Sequence, residues 1–203
     1  EWQKSKVNVI DTSGQGDFIV DTMTAIGASD AALCVVSASD GVQVYTEKTW
    51  EEAMRLSMPA LFFINKMDRE RADFAHAVET VQKALSDKAV PITLPIGAES
   101  GFEGVIDLVT QKAHRFSEDG REVTSEAIPA SLQAAVNSAR EKLIEAVAAS
   151  DDDLMATFFD AGTLTDSELA DGLRQAVAAR QIYPVLCGSA ATNRGVQTLL
   201  DAI

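Results

Sequence analysis

Hydrophobic and polar positions follow two alternating patterns in the first third of the chain. Short, nearly continuous apolar runs are typical of strands, and they alternate with segments whose apolar residues recur every three or four positions, as in amphipathic helices. The apolar runs predict strands over residues 31–38 and 60–66, and alternating apolar residues predict a strand over 6–11. The helical spacing predicts helices over residues 18–29, 46–57 and 71–85. This order predicts an α/β fold with a doubly wound, mainly parallel sheet, in which the second and third strands are covered on both faces.

The pattern changes after residue 90. Prolines and glycines in 91–104 predict loop or edge-strand structure. The segment SEDG, residues 117–120, lies between two strand-like stretches and predicts a hairpin, because Gly120 can take the positive φ that such turns require. Three helices are predicted near residues 130–149, 151–160 and 165–180, followed by a strand within 183–190 and a last helix. We therefore expect an α/β domain formed by 1–90 and 182–203, with an α+β insertion over 91–181.

Composition limits the functional classes that need consideration. The chain has 203 residues, 46% of them hydrophobic, which is enough for a substantial core, and it has no apolar run long enough to span a membrane. The net charge of −14 argues against a broad basic surface for nucleic acid. Cys34 and Cys187 lie in apolar runs and are expected to be buried, reduced thiols, as in a cytoplasmic protein. His76 and His114 are isolated in the sequence, which argues against a zinc site.

The first polar motif, Asp11-Thr12-Ser13-Gly14, follows the first predicted strand and is itself followed by Gln15. In open α/β sheets the ligand lies beyond the carboxyl ends of the strands. An aspartate at such a position can hold a water on Mg²⁺, and the amide of Gly14, unhindered by a side chain, can approach a terminal phosphate closely. The same Asp-x-x-Gly pattern also forms ordinary surface turns, so both interpretations stay open here.

The second motif, Asn65-Lys66-Met67-Asp68, follows the strand predicted over 60–66. Guanine presents two adjacent donors, N1–H and the N2 amino group, and one carboxylate can accept both. Adenine lacks this pair, so the same carboxylate would remain unpaired beside it. Asp68 is therefore placed to select guanine, while Asn65 can link neighbouring loops and the Lys66 stem can lie along the base. The alternative for Asp68 is an ordinary helix N-cap.

The third motif, Gly188-Ser189-Ala190, again follows a predicted strand. Small residues at this position let a backbone N–H group reach the O6 atom of guanine. Each motif alone is weak evidence, but all three occur in order, each at the end of a predicted strand. Together they predict a guanine-nucleotide-binding domain.

The stretches that carry these motifs resemble a known family. VNVIDTSGQGDF, DAALCVVSASDGVQVYTEKTW, PALFFINKMDRERADF and YPVLCGSAATNRGVQTLLDAI resemble the G domain of bacterial elongation factor G. The segment IGAESGFEGVIDLVTQKA is similar to part of the insertion that this family carries between its second and third motifs. The resemblance implies a P-loop NTPase-like fold and a translational GTPase that drives tRNA–mRNA translocation and ribosome recycling.

The resemblance also implies ligands, site residues and partners. GTP or GDP is expected with Mg²⁺, which Asp11 would hold through a water, and Gln15 is the expected catalytic residue. The expected GTP-binding residues are Asp11, Thr12, Ser13, Gly14, Gln15, Asn65, Lys66, Met67, Asp68, Ser189 and Ala190. The expected partners are the ribosome, at the factor-binding site of its large subunit, and the ribosomal stalk protein, bound through the acidic insertion. A cytoplasmic monomer is expected.

Two features depart from the family. Ser13 stands where the family usually has proline, and Gln15 stands where it has the histidine that orients the attacking water, a role that Ras-like GTPases give to glutamine. No G-x-x-x-x-G-K-[ST] sequence occurs in the 203 residues. We therefore expect an internal piece of a longer protein, which by itself binds GTP poorly. The alternative is a ribosome-docking paralogue that does not hydrolyse GTP.

Overall fold

The computed structural model describes residues 2–203, and two four-stranded sheets organise this part of the chain. The first sheet is parallel, with the spatial order β1-β2-β8-β3. Its strands are β1 (Ala32–Ser37), β2 (Ala60–Asn65), β3 (Ala89–Pro91) and β8 (Tyr183–Cys187). The second sheet is antiparallel, and its strands follow one another in chain order. They are β4 (Thr93–Ile96), β5 (Gly104–Asp107), β6 (Lys112–Phe116) and β7 (Val123–Glu126).

Seven α-helices connect or cover these strands in the described part of the chain. They are α1 (Ile19–Gly27), α2 (Val44–Arg55), α3 (Phe74–Ala84), α4 (Gln133–Ala148), α5 (Asp152–Ala161), α6 (Asp166–Ala178) and α7 (Val196–Ala202). Short 3₁₀ turns lie at Gly16–Phe18 and Glu99–Gly101. The strand–helix alternation of the first third and the parallel sheet confirm the predicted α/β fold class.

Apolar side chains cover both faces of β2, as its uninterrupted apolar sequence predicts. Leu61 and Phe63 share one core with residues of α4, α6 and α7, and Phe62 and Ile64 share the other with residues of α2 and α3. The antiparallel sheet contributes to both cores, through side chains of β5 and β6. The domain boundaries near residues 90 and 181 stay a prediction.

Local polar side chains cap the starts of α5 and α6. Thr165 and Glu168 form a reciprocal capping box at the start of α6, in which each side chain accepts the other residue's backbone N–H. The Asp151 side chain accepts the N–H groups of Asp153 and Leu154 at 3.0 Å and so caps α5. The acidic run at 151–153 therefore forms a helix start.

The strand predicted over residues 6–11 is wrong. The segment has no regular secondary structure, and the Val9 side chain is 80% exposed. An alternating apolar pattern shows only that a segment suits a sheet, whereas a strand also needs a neighbour that supplies ladder hydrogen bonds. Among residues 2–203, the sheet ends at β1, and segment 6–11 does not pair with it.

The expectation that both faces of β1 are covered is also wrong. Leu33 and Val35, which share one face of the strand, are exposed, with Val35 at 52%. Val36 on the other face is buried against the core that contains Trp50. The strand lies at the sheet edge, where no described segment covers the face that carries Val35.

The two cysteines differ in burial. Cys187 is buried in β8, as predicted, whereas Cys34 is only half-buried because it lies in the edge strand β1. Neither forms a disulfide. In the described part of the chain, no helix combines the length and apolar character needed to cross a membrane.

Candidate functional site

The carboxyl ends of β1, β2 and β8 meet at one edge of the parallel sheet, and Asn65 connects them. Its backbone carbonyl accepts the N–H of Ala38, the first residue after β1, at 2.9 Å. Its side-chain Oδ1 accepts the N–H groups of Lys66 at 2.8 Å and of Ala190, beyond the end of β8, at 2.9 Å. The structure thus brings the second and third sequence motifs together through one side-chain oxygen.

The residues after Asn65 turn sharply away from the strand. Lys66 has a φ of +66°, a left-handed conformation that non-glycine residues seldom adopt. Met67 is completely buried, and its N–H donates to the Gly188 carbonyl at 3.2 Å. This second link holds the Asn65–Asp68 loop against the Gly188–Ala190 loop.

Asp68 has a buried carboxylate oxygen, Oδ1, that lacks a hydrogen-bond donor among the described residues. Its Oδ2 lies 3.8 Å from Arg69 Nε, a distant pairing that leaves the carboxylate unsatisfied. Asp68 is not a helix cap, because α3 is capped by Asp73, whose side chain accepts the His76 N–H at 2.9 Å. A buried acceptor without a donor is uncommon in folded proteins, and it indicates a position where a ligand can donate.

The loop after β8 is compact and internally bonded. Ser189 is completely buried, and its backbone exchanges two hydrogen bonds with that of Arg194, at 2.8 and 3.0 Å. Gly188 is required here because a Cβ atom would lie 2.5 Å from the Arg194 carbonyl oxygen and 2.6 Å from the Phe63 ring. The sequence predicted that a backbone N–H of residues 188–190 reaches guanine O6, but the Ala190 N–H donates to Asn65 in this structure.

A shallow concavity extends from the ends of β1 and β2 toward the start of α2. Its lining residues are Val35, Val36, Ser37, Asp40, Gly41, Gln43, Thr46, Asn65 and Lys66. Hydrogen bonds from Ser37 and Ser39 lower the pKa of the Asp40 carboxyl, and the nearby charge of Lys66 adds a smaller effect in the same direction. Sequence reasoning did not single out Asp40, because a lone aspartate in a turn carries no motif.

The first motif, residues 11–15, is not hydrogen-bonded to the other two in the described chain. Residues 11–15 are all exposed, and Gln15 donates its backbone N–H to Ser13 Oγ at 3.2 Å. The Ser13 carbonyl accepts the hydroxyl of Thr22 from α1 at 3.2 Å. Within the described chain no hydrogen bond joins this segment to Asp68 or Ala190.

Tyr45 of α2 packs against the end of this first segment, at Gly16. A Cβ atom on Gly16 would lie 1.9 Å from the Tyr45 hydroxyl oxygen, so the glycine leaves room for this ring in the first turn of α2. Gln43 and Thr46, which flank Tyr45, line the concavity described above. Gly16 therefore approaches a residue whose neighbours line the concavity, a relationship that no sequence motif signals.

The polar groups at the site fit a base better than a metal. The unpaired Asp68 oxygen fits the N1–H and N2 donors of guanine, so Asp68 could hold the base, with the Lys66 stem beside it and the Asn65–Ala190 bond fixing the loops around it. Residues 2–203 contain no group of three or more His, Cys, Asp or Glu side chains able to hold a metal ion. Asp11 alone is therefore not a complete Mg²⁺ site.

Comparison with solved structures supports the same fold. The crystal structure of a protein from Thermus thermophilus superimposes with a TM-score of 0.84 and is 31% identical. The match covers 93% of this chain and 28% of that one, so the chain corresponds to little more than a quarter of its relative's length.

One protein-family model matches the chain over its 203 residues. The Elongation factor Tu GTP binding domain family matches residues 1–203. This match includes all three motifs and the segment 91–181 between the second and the third. The chain therefore belongs to the Elongation factor Tu GTP binding domain family, which comprises the G domains of translational GTPases.

Proposed function

We propose that the chain is the guanine-nucleotide-binding part of an elongation factor G, which hydrolyses GTP during ribosomal translocation. One observation carries the nucleotide assignment: the buried Oδ1 of Asp68 lacks a donor at the edge where β2 and β8 end. A guanine base supplies two donors to a carboxylate in this position. Family membership makes a guanine nucleotide the expected ligand.

The neighbouring residues support a base at this position. Asn65 and Ala190 fix the loops on either side of Asp68, and the exposed Lys66 has an aliphatic stem that can cover a planar ring. Adenine would leave the Asp68 carboxylate facing an acceptor, which costs about 1–3 kcal/mol for the unpaired polar group. This difference is the proposed basis of guanine selectivity.

Hydrolysis would require groups beyond the base site. Gln15 would orient a water toward the terminal phosphate, and Asp11 would hold the Mg²⁺ that accompanies the phosphates through a water. The exposure of residues 11–15 leaves both side chains free to take these roles. The described residues do not form a complete site for the metal on their own.

The assignment to elongation factor G, and the partners that follow from it, rest on the sequence of the insertion. Residues 91–181 carry 16 acidic and 7 basic side chains, an excess of negative charge that can steer a basic partner. The proposed partners are the large ribosomal subunit and the ribosomal stalk protein, in the cytoplasm.

A ribosome-docking protein without GTPase activity is the second candidate. Gln15 favours it, because this side chain stands where the family has a catalytic histidine. Both candidates bind guanine nucleotides, so they differ only in turnover.

The test is equilibrium binding of GDP, ADP and xanthosine diphosphate to the protein encoded by the reading frame that contains these residues. We expect GDP to bind at least about tenfold more tightly than either competitor, as an unpaired carboxylate implies. Equal affinities for GDP and ADP would contradict the proposed base site. GTP turnover with and without ribosomes then separates the enzyme from the docking protein.

A further inference from the structure

The antiparallel sheet contacts both loops of the proposed base site. The connection between β4 and β5 reaches the loop after β2: the Glu99 N–H donates to the Met67 carbonyl at 2.8 Å, and the Glu99 carboxylate accepts the Arg71 N–H at 2.7 Å. Glu99 therefore holds the loop that carries Asp68 at two points, one on each side of that residue.

The turn between β6 and β7 reaches the other loop. The Gly120 carbonyl accepts the side-chain amides of Asn193 at 3.0 Å and of Gln197 at 2.7 Å. Gly120 has a φ of +66°, and a Cβ atom there would lie 2.3 Å from the Thr192 carbonyl oxygen. The turn can approach this loop so closely only because its tip residue has no side chain.

A third contact joins the same two regions. The Arg194 guanidinium donates to the carbonyl of Phe102, a completely buried residue just before β5. Arg194 is also the backbone partner of Ser189. The loop that carries Ala190 is thus held from two connections of the antiparallel sheet, and the loop that carries Asp68 is held from one of them.

Uncommon backbone conformations occur at these contacts. The left-handed region is sparsely populated by non-glycine residues and costs of order 1 kcal/mol or more unless the surroundings hold it. Four non-glycine residues of the two loops and their contacts have positive φ, namely Lys66, Arg71, Glu99 and Asn193, with values of +66°, +63°, +54° and +53°. Such conformations persist where surrounding contacts fix them, as the hydrogen bonds from the second sheet do here.

We propose that the antiparallel sheet positions the two base-recognition loops, with Glu99 and Gly120 as its points of contact. This inference rests on the proposed function in one respect, namely that the two loops bind guanine. It makes Asn193 and Gln197 positioning residues, which do not touch the base but set the place of Ala190 relative to Asn65. A displacement of the β6–β7 hairpin would then lower the affinity for guanine nucleotides.

The first experiment needs no nucleotide and uses the 203-residue chain. Asn193→Gly with Gln197→Ala removes both amides from Gly120, keeps a residue that tolerates positive φ at 193, and keeps a good helix former at 197. Gln133→Ala is the matched control, because it removes an exposed amide that bonds only to Asn137 in α4.

The measured quantity is the hydrogen-exchange rate of the Ala190 amide, with the Phe62 amide of the central strand β2 as the reference for global opening. In the double variant we expect exchange at Ala190 to accelerate about tenfold while Phe62 is unchanged, since two neutral hydrogen bonds are lost. The control should change neither rate. An unchanged Ala190 rate, or an equal acceleration at both positions, would overturn the proposal.

Glu99 offers a second and independent arm. Glu99→Ala removes the acceptor of the Arg71 N–H, and Glu99→Gln retains an oxygen at the same position. Exchange at the Met67 amide, which bonds to Gly188, should accelerate several-fold in Glu99→Ala and return toward the wild-type rate in Glu99→Gln. Equal rates in the two variants would overturn the role assigned to the Glu99 carboxylate.

The last arm tests whether the positioning matters for guanine. In the protein encoded by the reading frame that contains these residues, the double variant should weaken GDP binding about tenfold, and Gln133→Ala should leave it unchanged. If exchange at Ala190 accelerates while the GDP dissociation constant stays the same, the loops are held by the sheet but base binding does not depend on it, and the proposal fails. If the wild type binds no GDP, the proposed function fails, and the exchange rates alone then decide whether the antiparallel sheet positions the two loops.

Discussion

Asn65 and Ala190 lie 125 positions apart in the sequence and are joined by a 2.9 Å hydrogen bond from the Ala190 N–H to Asn65 Oδ1. The same oxygen accepts the Lys66 N–H at 2.8 Å. One side-chain oxygen therefore fixes the ends of β2 and β8 relative to each other. The second and third motifs, which are distant in the sequence, are therefore held side by side in the structure.

Replacing Asn65 by alanine should loosen this edge of the sheet. Two backbone N–H groups lose their acceptor, and water can satisfy only those that become exposed, so the free energy of unfolding should fall by about 1–3 kcal/mol. Asn65→Asp keeps an acceptor oxygen and should lose less. Urea unfolding of the two variants, followed by circular dichroism, measures the difference. Equal losses would show that the bond to Ala190 does not stabilise the fold.

Replacing Asp68 by asparagine should change the base preference. The substitution exchanges one acceptor oxygen for an amino donor, which then faces the N2 donor of guanine. Xanthine has a carbonyl at C2 and so becomes the matching base. The affinity for GDP should fall by about 1–3 kcal/mol, and that for xanthosine diphosphate should rise.

Competition binding of the two diphosphates to wild type and Asp68→Asn decides this prediction. Asp73→Asn is a suitable control, because Asp73 lies in the same loop region but caps α3, and its amide oxygen can still accept the His76 N–H. A retained preference for GDP in Asp68→Asn would mean that Asp68 does not contact the base.

Local sequence predicted those features that depend on neighbouring residues. The residues of β2 are apolar without interruption up to Asn65, and the strand is covered on both faces as that pattern requires. The capping box of Thr165 and Glu168 is another local feature, because both partners lie within one helical turn. The positive φ of Gly120 followed from its place in a hairpin.

Features that depend on distant partners were beyond local sequence. Segment 6–11 has the same alternating apolar character as a strand, yet it does not pair, since the pattern cannot say whether a neighbour is present. The apolar sequence of β1 likewise cannot show whether another segment covers both of its faces, and one face is exposed. The contact of Gly120 with Asn193, 73 positions away, has no sequence signal at all, because an asparagine after a strand is common in any turn.

Burial of Cys187 makes stability depend on pH in the alkaline range. Desolvation raises the pKa of its thiol from 9.0 to about 12, against a smaller opposing effect of the Thr93 hydrogen bond. Below pH 9 the thiol is neutral in both the folded and the unfolded chain, so its contribution to stability is complete. Above pH 9 only the unfolded chain releases the proton, and the free energy of unfolding falls until the folded thiol also ionises near pH 12.

The loss attributable to Cys187 should reach about 1.4 kcal/mol at pH 10. Cys187→Ala removes this titration, although it also leaves a small cavity that lowers stability at every pH. The difference in unfolding free energy between wild type and Cys187→Ala should therefore shrink by that amount from pH 7 to pH 10. A constant difference over this range would show that the thiol ionises equally in both states.

Gln15 decides between the two candidate functions. Its side chain is exposed in a segment that makes no hydrogen bond to the base-site residues within the described chain, so nucleotide affinity should not depend on it. Hydrolysis should depend on it, if it orients the attacking water. A histidine at this position can carry positive charge as negative charge develops on the phosphate oxygens, whereas glutamine offers only neutral hydrogen bonds.

The difference between a charged and a neutral hydrogen bond, about 1.5–3 against about 0.5–1.5 kcal/mol, amounts to roughly tenfold in rate. Gln15→His should therefore accelerate ribosome-stimulated GTP hydrolysis by about that factor, and Gln15→Ala should nearly abolish it. The GDP dissociation constants of the three proteins should agree, which makes binding the internal control. Single-turnover hydrolysis on ribosomes is the measurement. If Gln15→Ala and wild type turn over equally slowly, Gln15 orients no water and the chain belongs to a docking protein, because the base site then binds guanine without serving catalysis.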